Sequence, residues 1–325
     1  MTYPELILSS DATRIGQDSR LLAKRAKRGE LVRVRRGAYL LADHWDALGA
    51  RQRHGMQAEA LVNTTLSAPV FNMQTAAMLW GLGVVGVPNM LCTVTDDPTG
   101  GRSKHGVRRT LGSLESGVGQ LGGFTVTDKV RTTVELAGTL TFAEALAVVD
   151  SSRRPPTLDA ARRETNWEKD RAWGPAADME DLGKAVSRLG SESRRRRAAR
   201  VLELSTDMSE SPGESMSRAQ MILLNFPPPS LQASFTLRNG STARTDFWWP
   251  EFDLVGEFDG QGKYLRDRLR GNRTLQQVVM AEKARENALR ALGLSVIRWD
   301  WAEMMNPRAF SQILNDGGLK SLRAA

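Results

Sequence analysis

Residues 242–264 read TARTDFWWPEFDLVGEFDGQGKY, and the pairing of the two strand-forming runs within them decides how the C-terminal part of the chain folds. Ala243 to Trp249 and Asp253 to Asp259 flank Pro250-Glu251-Phe252, where proline acts as the breaker, so the stretch predicts a β-hairpin. Pairing symmetric about Glu251 and Phe252 sets Asp246 directly opposite Glu257, with Asp259 two residues further along the same face. Like charges facing each other across a ladder destabilise it. Either the register slips by one, sending the acids to different faces, or a cation holds them. Magnesium, with manganese as its substitute, is the natural candidate, because it takes oxygen ligands from one or two carboxylates together with substrate phosphates. Lys263 follows as a local positive charge.

A chain of 325 residues predicts two or three domains. No apolar run approaches the roughly 18 residues of a membrane helix, and MTYPELILSSDATR carries no export pattern, so a cytoplasmic protein without a membrane partner is expected. The single cysteine, Cys92, excludes an intramolecular disulfide. His44, His54 and His105 are scattered and far in sequence from the acidic hairpin, which argues against a zinc site, an HNH-type nuclease or a histidine-based triad. Any metal must be held by oxygen. The net charge of +8 allows a polyanionic partner without specifying one.

Near the N-terminus, Asp11 to Ile15 predicts a short helix broken at Gly16, and Asp18 or Ser19 an N-cap for a second helix through Arg28. Leu31 to Val34 and Ala38 to Leu41 then read as two strands about the basic turn Arg35-Arg36-Gly37. Helix, helix, hairpin is the order of a winged helix-turn-helix, in which the second helix enters the major groove and the wing touches the backbone. Arg20, Lys24, Arg25, Lys27 and Arg28 on the helix, and Arg33, Arg35 and Arg36 on the wing, are the candidate contacts to double-stranded DNA. A solvated basic face is the structural alternative.

In the middle of the chain, Met56 to Asn63 and Gln74 to Gly81 predict helices and Leu91 to Thr95 a strand. Thr127 is expected to cap a helix through Ala137, and Phe142 to Asp150 to form another. Arg194 to Arg197 point all around a helix and form no amphipathic stripe. Further on, Ser211-Pro212-Gly213-Glu214 reads as a helix start with a capping box. Glu214 is therefore both a capping carboxylate and a candidate site residue, and Arg218, four residues on, is placed to pair with it. On the helix Thr274 to Leu292, Leu275, Val278, Ala281, Ala284, Ala288 and Leu292 make the expected buried stripe, and Lys283 lies off its centre. Leu294 to Trp301 is expected to join the hairpin sheet, and Trp248 and Trp249 to pack in the core.

Asp246, then Glu257-Phe258-Asp259-Gly260, then Lys263, resembles the PD-(D/E)xK nucleases in their Vsr-like, restriction-endonuclease-like branch. STDMSESPGESMSR (205–218) resembles the Glu-bearing first helix of that branch, and AEKARENALRALGLSVIRWDW (281–301) its closing helix and strand. The position two after Glu257, where that pattern has lysine, is Asp259, so the lysine role passes to Lys263 or Lys283. ELVRVRRGAYLL and FTVTDKVRTTVELA resemble the N-terminal and middle regions of AbiEi-type antitoxins.

Together the resemblances imply an α+β multidomain chain: a winged helix-turn-helix at 1–48, an antitoxin-like α/β middle domain at 49–165, a connector at 166–200 and a nuclease-like αβββαβ core at 201–325. They imply hydrolysis of DNA phosphodiesters, with Asp246, Glu257 and Asp259 as metal ligands, Glu214 as a further acid and Lys263 beside the reacting water. The alternative is an AbiEi-type antitoxin or transcriptional repressor, acting on its operator or a cognate toxin, whose nuclease-like domain does not cut.

Overall fold

The computed structural model describes residues 4–14, 16, 18, 20–99, 103–155, 174–260 and 275–322, apart from the side chains of Leu275, Val278 and Val279. Among the described residues the fold is mixed α and β, with three separate sheets. It divides into two compact units, one of Met1–Thr139 with Ser152–Glu203 and one of Leu140–Ser151 with Leu204–Ala325.

The first unit begins with β1 (Ile7–Leu8), α1 (Ser9–Arg14) and α2 (Arg20–Lys27). Asp18 Oδ1 accepts from the Arg20 N–H at 2.9 Å, the turn that launches α2; Ser19, the other expected cap, lies outside the described residues. Gly29, at φ +80°, ends the helix and feeds β2 (Leu31–Arg35), which pairs antiparallel with β3 (Ala38–Leu41). β1 adds to the far side of β3, a strand of two residues with no alternation to announce it. Leu22, Leu31 and Tyr39 are buried together beneath α2.

After α3 (Ala42–Ala47), α4 runs from Ala50 to Thr64, starting six residues before the expected Met56. A second sheet follows in the order β6-β5-β4-β8-β7, from β4 (Val70–Phe71), β5 (Leu91–Thr95), β6 (Val107–Leu111), β7 (Val118–Leu121) and β8 (Phe124–Thr127). α5 (Met73–Leu79) and α6 (Lys129–Ala137) accompany it. The cap of α6 is Asp128, whose side chain accepts from Arg131 N–H; Thr127, the expected cap, belongs to β8 and bonds the Thr132 hydroxyl at 2.7 Å. Extended β8 geometry at Thr127 hands the capping position to the next residue. α7 (Phe142–Arg153) carries the chain between the units. Two helices, α8 (Met179–Ser187) and α9 (Glu192–Glu203), lie in the stretch expected as a connector, and the arginine run falls within α9.

The second unit reads α10 (Pro212–Leu223), β9 (Ser230–Thr236), β10 (Thr242–Trp249), β11 (Leu254–Phe258), α11 (Leu275–Arg290), β12 (Ser295–Trp299), α12 (Trp301–Met305) and α13 (Pro307–Asp316). Its sheet order is β12-β11-β10-β9. β10 and β11 pair antiparallel through Phe247↔Gly256, Trp248↔Val255 and Trp249↔Leu254, and β12 joins β11 in parallel. One face buries Phe247, Trp249 and Trp299 against Phe310 of α13, with Phe247 and Trp299 centroids 5.4 Å apart. Trp299 Nε1 donates to Ser217 Oγ of α10 at 2.8 Å, which satisfies the indole inside the core. The other face packs Val255, Trp248 and Val296 against Ala288 and Leu289 of α11.

That second packing corrects the expected stripe of α11. Ala281 and Ala284 are exposed and Leu292 is largely so, while Leu289 is buried and Glu282, Arg285 and Glu286 are half-buried. The helix turns a charged side inward because the sheet beneath it carries charges to be met. Arg218, too, does not pair with Glu214: it bridges to the fully buried Asp150 of α7 at 3.1 Å and donates to Leu204 O. The β12 strand stops at Trp299 because Asp300 caps α12, with Glu303 completing a capping box.

Gly256 is where the core leaves no room: a Cβ there would stand 2.6 Å from the Trp299 ring and 3.1 Å from the Trp249 ring. Gly256→Ala is expected to lower stability by about 1–3 kcal/mol, read as a leftward shift of the urea transition followed by tryptophan fluorescence. An unshifted transition would mean that the aromatic layer is loosely packed.

Candidate functional site

Continuing the β10–β11 register one residue beyond Phe247↔Gly256 places Asp246 opposite Glu257, the juxtaposition expected from the hairpin. Two devices make the opposition tolerable. Asp246 Oδ2 accepts the Phe258 backbone N–H at 2.9 Å, a bond that favours the ionised carboxylate. Glu257, almost fully buried, is gripped by two guanidiniums: Arg285 of α11 on Oε1, and Arg298 of β12 on Oε2 at 2.7 Å.

Arg298 is the direct ladder partner of Glu257 in the parallel β11–β12 pair, so the strand register itself delivers it. The same side chain also bonds Glu282, lies 3.4 Å from Glu286 Oε2 and reaches Asp259 at 3.8 Å. Arg285 bonds Glu282 at 3.2 Å and the Arg244 carbonyl at 2.6 Å. Burial alone would pull both guanidiniums down, yet their carboxylate partners hold each above the ordinary arginine value. Neither arginine nor Glu282 was singled out from sequence. The only local signal was Glu282 three residues before Arg285 on a helix, a spacing shared by many solvated pairs.

Glu214 stands at the first turn of α10, held there by close packing: a Cβ on Gly213 would fall 2.0 Å from the Phe258 ring. The expected capping box is not closed: Ser211 caps α10 by accepting the Glu214 N–H, but the Glu214 carboxylate takes the N–H of Glu210 in place of that of Ser211. Ser211 Oγ donates to Oε1 at 2.7 Å, and the Glu210 N–H and the Gln232 amide each donate to Oε2 at 2.8 Å. Glu214 is also a member of the acidic group, because burial first, and then the charge of Asp246, push its carboxyl up to about 7. Asp246 is pushed up to about 6, by burial first and then by Glu257 against the relief of the Phe258 N–H. Glu210 borders the pair and is itself bridged to Arg244 at 2.6 Å.

The chain thus brings Glu214, Asp246 and Glu257 together and sets Asp259 at the end of β11, half-exposed beside Arg298. Lys263 and Tyr264 lie outside the described residues. Lys283 is exposed on α11. Among the described residues no three His, Cys, Asp or Glu side chains are grouped as a ready metal cage.

In the first unit, Arg20, Lys24, Lys27, Arg28, Arg33 and Arg36 are exposed, and Arg25 and Arg35 are half-buried. Glu30 draws Arg25 to 2.8 Å and Arg28 to 3.9 Å, so part of the charge of α2 is met within the unit. Arg35 donates to the His105 carbonyl at 3.2 Å, and burial together with the nearby Arg109 charge holds its pKa below the ordinary value.

No protein-family model matches the chain. Two proteins of Mycobacterium tuberculosis, the uncharacterized proteins Rv2248 of strain H37Rv and MT2308 of strain CDC 1551, are each 29% identical over 257 residues, covering 75% of this chain and 81% of theirs. Among solved structures, that of the RV2827C protein from Mycobacterium tuberculosis aligns with a TM-score of 0.39 and 14% identity, over 78% of this chain and 86% of that one.

The raised carboxyls give a pH prediction. An acid whose folded pKa lies above its unfolded value binds more protons in the native state between the two values, so stability falls as pH rises through that window. With Glu214 near 7 and Asp246 near 6, against ordinary values of 4.5 and 3.8, the second unit is expected to lose stability progressively from about pH 4 to 7. Asp246→Asn removes one charge of the pair. It is expected to raise the melting temperature at pH 8 while leaving it nearly unchanged at pH 4.5; equal shifts at both pH values would contradict the coupling.

Proposed function

We propose that the protein binds double-stranded DNA through its first unit and that its second unit is a metal-dependent, PD-(D/E)xK-type domain acting on DNA phosphodiesters. The observation that carries the reading is the convergence of Glu214 and Asp246 beside Glu257, three acids from a helix and two strands, with two of them holding their protons to near neutrality. Buried, mutually repelling carboxyls of this kind cluster at functional sites. The order of the second unit, a helix, three antiparallel strands, a helix and a parallel strand, supports the same reading.

The donors fit a hard cation. Glu214 and Asp246 offer oxygen only, and among the described residues no ammonium or guanidinium forms an ion pair with either. Both would hold magnesium or manganese, with Glu257 as a third donor if Arg285 and Arg298 yield it. Such an ion would polarise a scissile phosphate and lower the pKa of an attacking water. The chain's own contribution is separate. Arg298 and Arg285 offset the surplus negative charge that would otherwise repel DNA, and their planar forks suit phosphate oxygens as well as carboxylates. Glu214 holds its proton up to about 7 without an ion, so a cation bound there would displace that proton. In the first unit, the helix α2 and the β2–β3 turn present the basic side chains expected to meet the DNA backbone.

A second reading has its own observation. Asp259 stands in the position of the usual lysine, and Glu257 is committed to two arginines. A repressor or antitoxin of AbiEi type, in which the second unit no longer cuts, accounts for both.

Nicking of supercoiled DNA in magnesium or manganese, abolished by EDTA and by Glu257→Gln, is the outcome expected of the first reading. Intact DNA binding with no cutting by the wild type would leave the second. Under either reading, joint replacement of Arg33 and Arg36 by alanine is expected to weaken duplex binding uniformly across sequences. It should also reduce the slope of log affinity against log salt by about 2; an unchanged slope would remove the β2–β3 turn from the interface.

A further inference from the structure

Gln232 sits in the middle of β9 in a conformation that strands do not use. Its φ is +54°, within the left-handed region that favours glycine. The β9–β10 ladder registers on either side of it, through Thr245↔Ala233 and Phe247↔Leu231, and skips the intervening pair, which is Gln232 facing Asp246. A non-glycine residue held there costs on the order of 1–3 kcal/mol, and such costs persist where the surroundings over-determine them.

What the distortion achieves is visible in the hydrogen bonds. The Gln232 side-chain amide donates to Glu214 Oε2 at 2.8 Å, reaching from the edge strand to the first turn of α10. That oxygen also accepts the Glu210 N–H, while Ser211 holds Oε1. Three donors therefore orient the carboxylate that faces Asp246, and Gln232 is the one that comes from the sheet on which Asp246 lies. A strand residue in regular extended geometry would alternate faces with its neighbours and keep the ladder.

We propose that Gln232 is a positioning residue of the acidic site: its amide aims Glu214 at Asp246 so that the two carboxylates share one divalent cation, and the kink in β9 exists to bring it there. The assignment of the cation rests on the metal-dependent reading above. The aiming of Glu214 does not.

Gln232→Gly separates the two functions of the residue, because glycine accepts a positive φ without strain while removing the amide. The full chain carrying Gln232→Gly is expected to fold with unchanged or higher thermal stability at pH 4.5. Two readouts would then move. Manganese affinity, by isothermal titration, should fall about 10- to 100-fold, as is usual when a residue that orients a metal ligand is lost. The titration midpoint of the Glu214 carboxyl, by carbon-detected NMR, should rise above the wild-type value, since the ionised form loses a donor. Asp246 and Glu210, the acids whose charges bear on Glu214, are unaltered in sequence in this variant.

An unmoved Glu214 midpoint with wild-type manganese affinity would overturn the proposal and assign the φ of Gln232 to strand packing alone. If the wild type takes up no manganese, the metal-dependent reading fails by itself. The Glu214 midpoint then decides the proposal: a rise in Gln232→Gly upholds the positioning role, and no change rejects it. Gln232→Ala, which lacks the amide, is expected to shift the midpoint as glycine does while retaining the backbone strain.

Discussion

The opposition of Asp246 and Glu257 across one rung of the β10–β11 ladder is the constraint on which the second unit is built. Two carboxylates in that relation repel, and a half-buried sheet offers little water to screen them. The structure meets the repulsion in two different ways. Glu257 is neutralised by Arg285 and Arg298, which in turn require Glu282 and Glu286 on the inner side of α11. Asp246 is relieved by the Phe258 backbone N–H and, more weakly, by the Arg285 charge, yet burial still makes it hold its proton more tightly, in company with Glu214. One acid of the pair is thereby committed, and the other is left available.

This division explains the departure of α11 from an ordinary amphipathic helix. A helix packed on a sheet normally turns alanines and leucines inward. Here Leu289 does so at one end, while the turn nearer Glu257 presents Glu282, Arg285 and Glu286. Replacing such a network by apolar side chains is often neutral or stabilising elsewhere, whereas removing one partner leaves a charge uncompensated. The same reasoning applies to Asp150 and Arg218, where burial raises the Asp150 carboxyl and the guanidinium opposes that rise. Through Arg218 that bond fastens α7 to α10, and a second bond from the same guanidinium holds Leu204, so a segment distant in sequence, Leu140–Ser151, belongs to the second unit.

Local chemistry was legible wherever neighbouring residues decide it. The β10 and β11 strands follow from alternation and from the Pro250 connection, and pairing symmetric about it gives the observed register; Ser211 caps α10, Asp18 accepts the Arg20 N–H ahead of α2, and Gly29 and Gly293 follow helices at positive φ. Less legible were β1 and β4, two residues each and too short to carry a period, and the cap of α6, where Thr127 and Asp128 compete and strand geometry decides. The α11 stripe was misread because alanines at helical spacing look apolar whether or not anything covers them. At the site, Glu214, Asp246 and Glu257 were legible as acids on predictable elements, but Gln232, Arg285 and Arg298 were not.

What the sequence by itself determined is the set of elements and a possible charge conflict between them: pairing symmetric about Glu251 and Phe252 sets Asp246 opposite Glu257, whereas a slip by one parts them. Only the tertiary structure decided how that conflict is met. Arg285 lies 28 residues from Glu257, Arg218 is 68 from Asp150, and Gln232 is 18 from Glu214, so each pairing exists only once separate elements have packed. Side chains of this kind are chosen by burial and by which charge stands opposite, and neither quantity belongs to any single stretch of sequence.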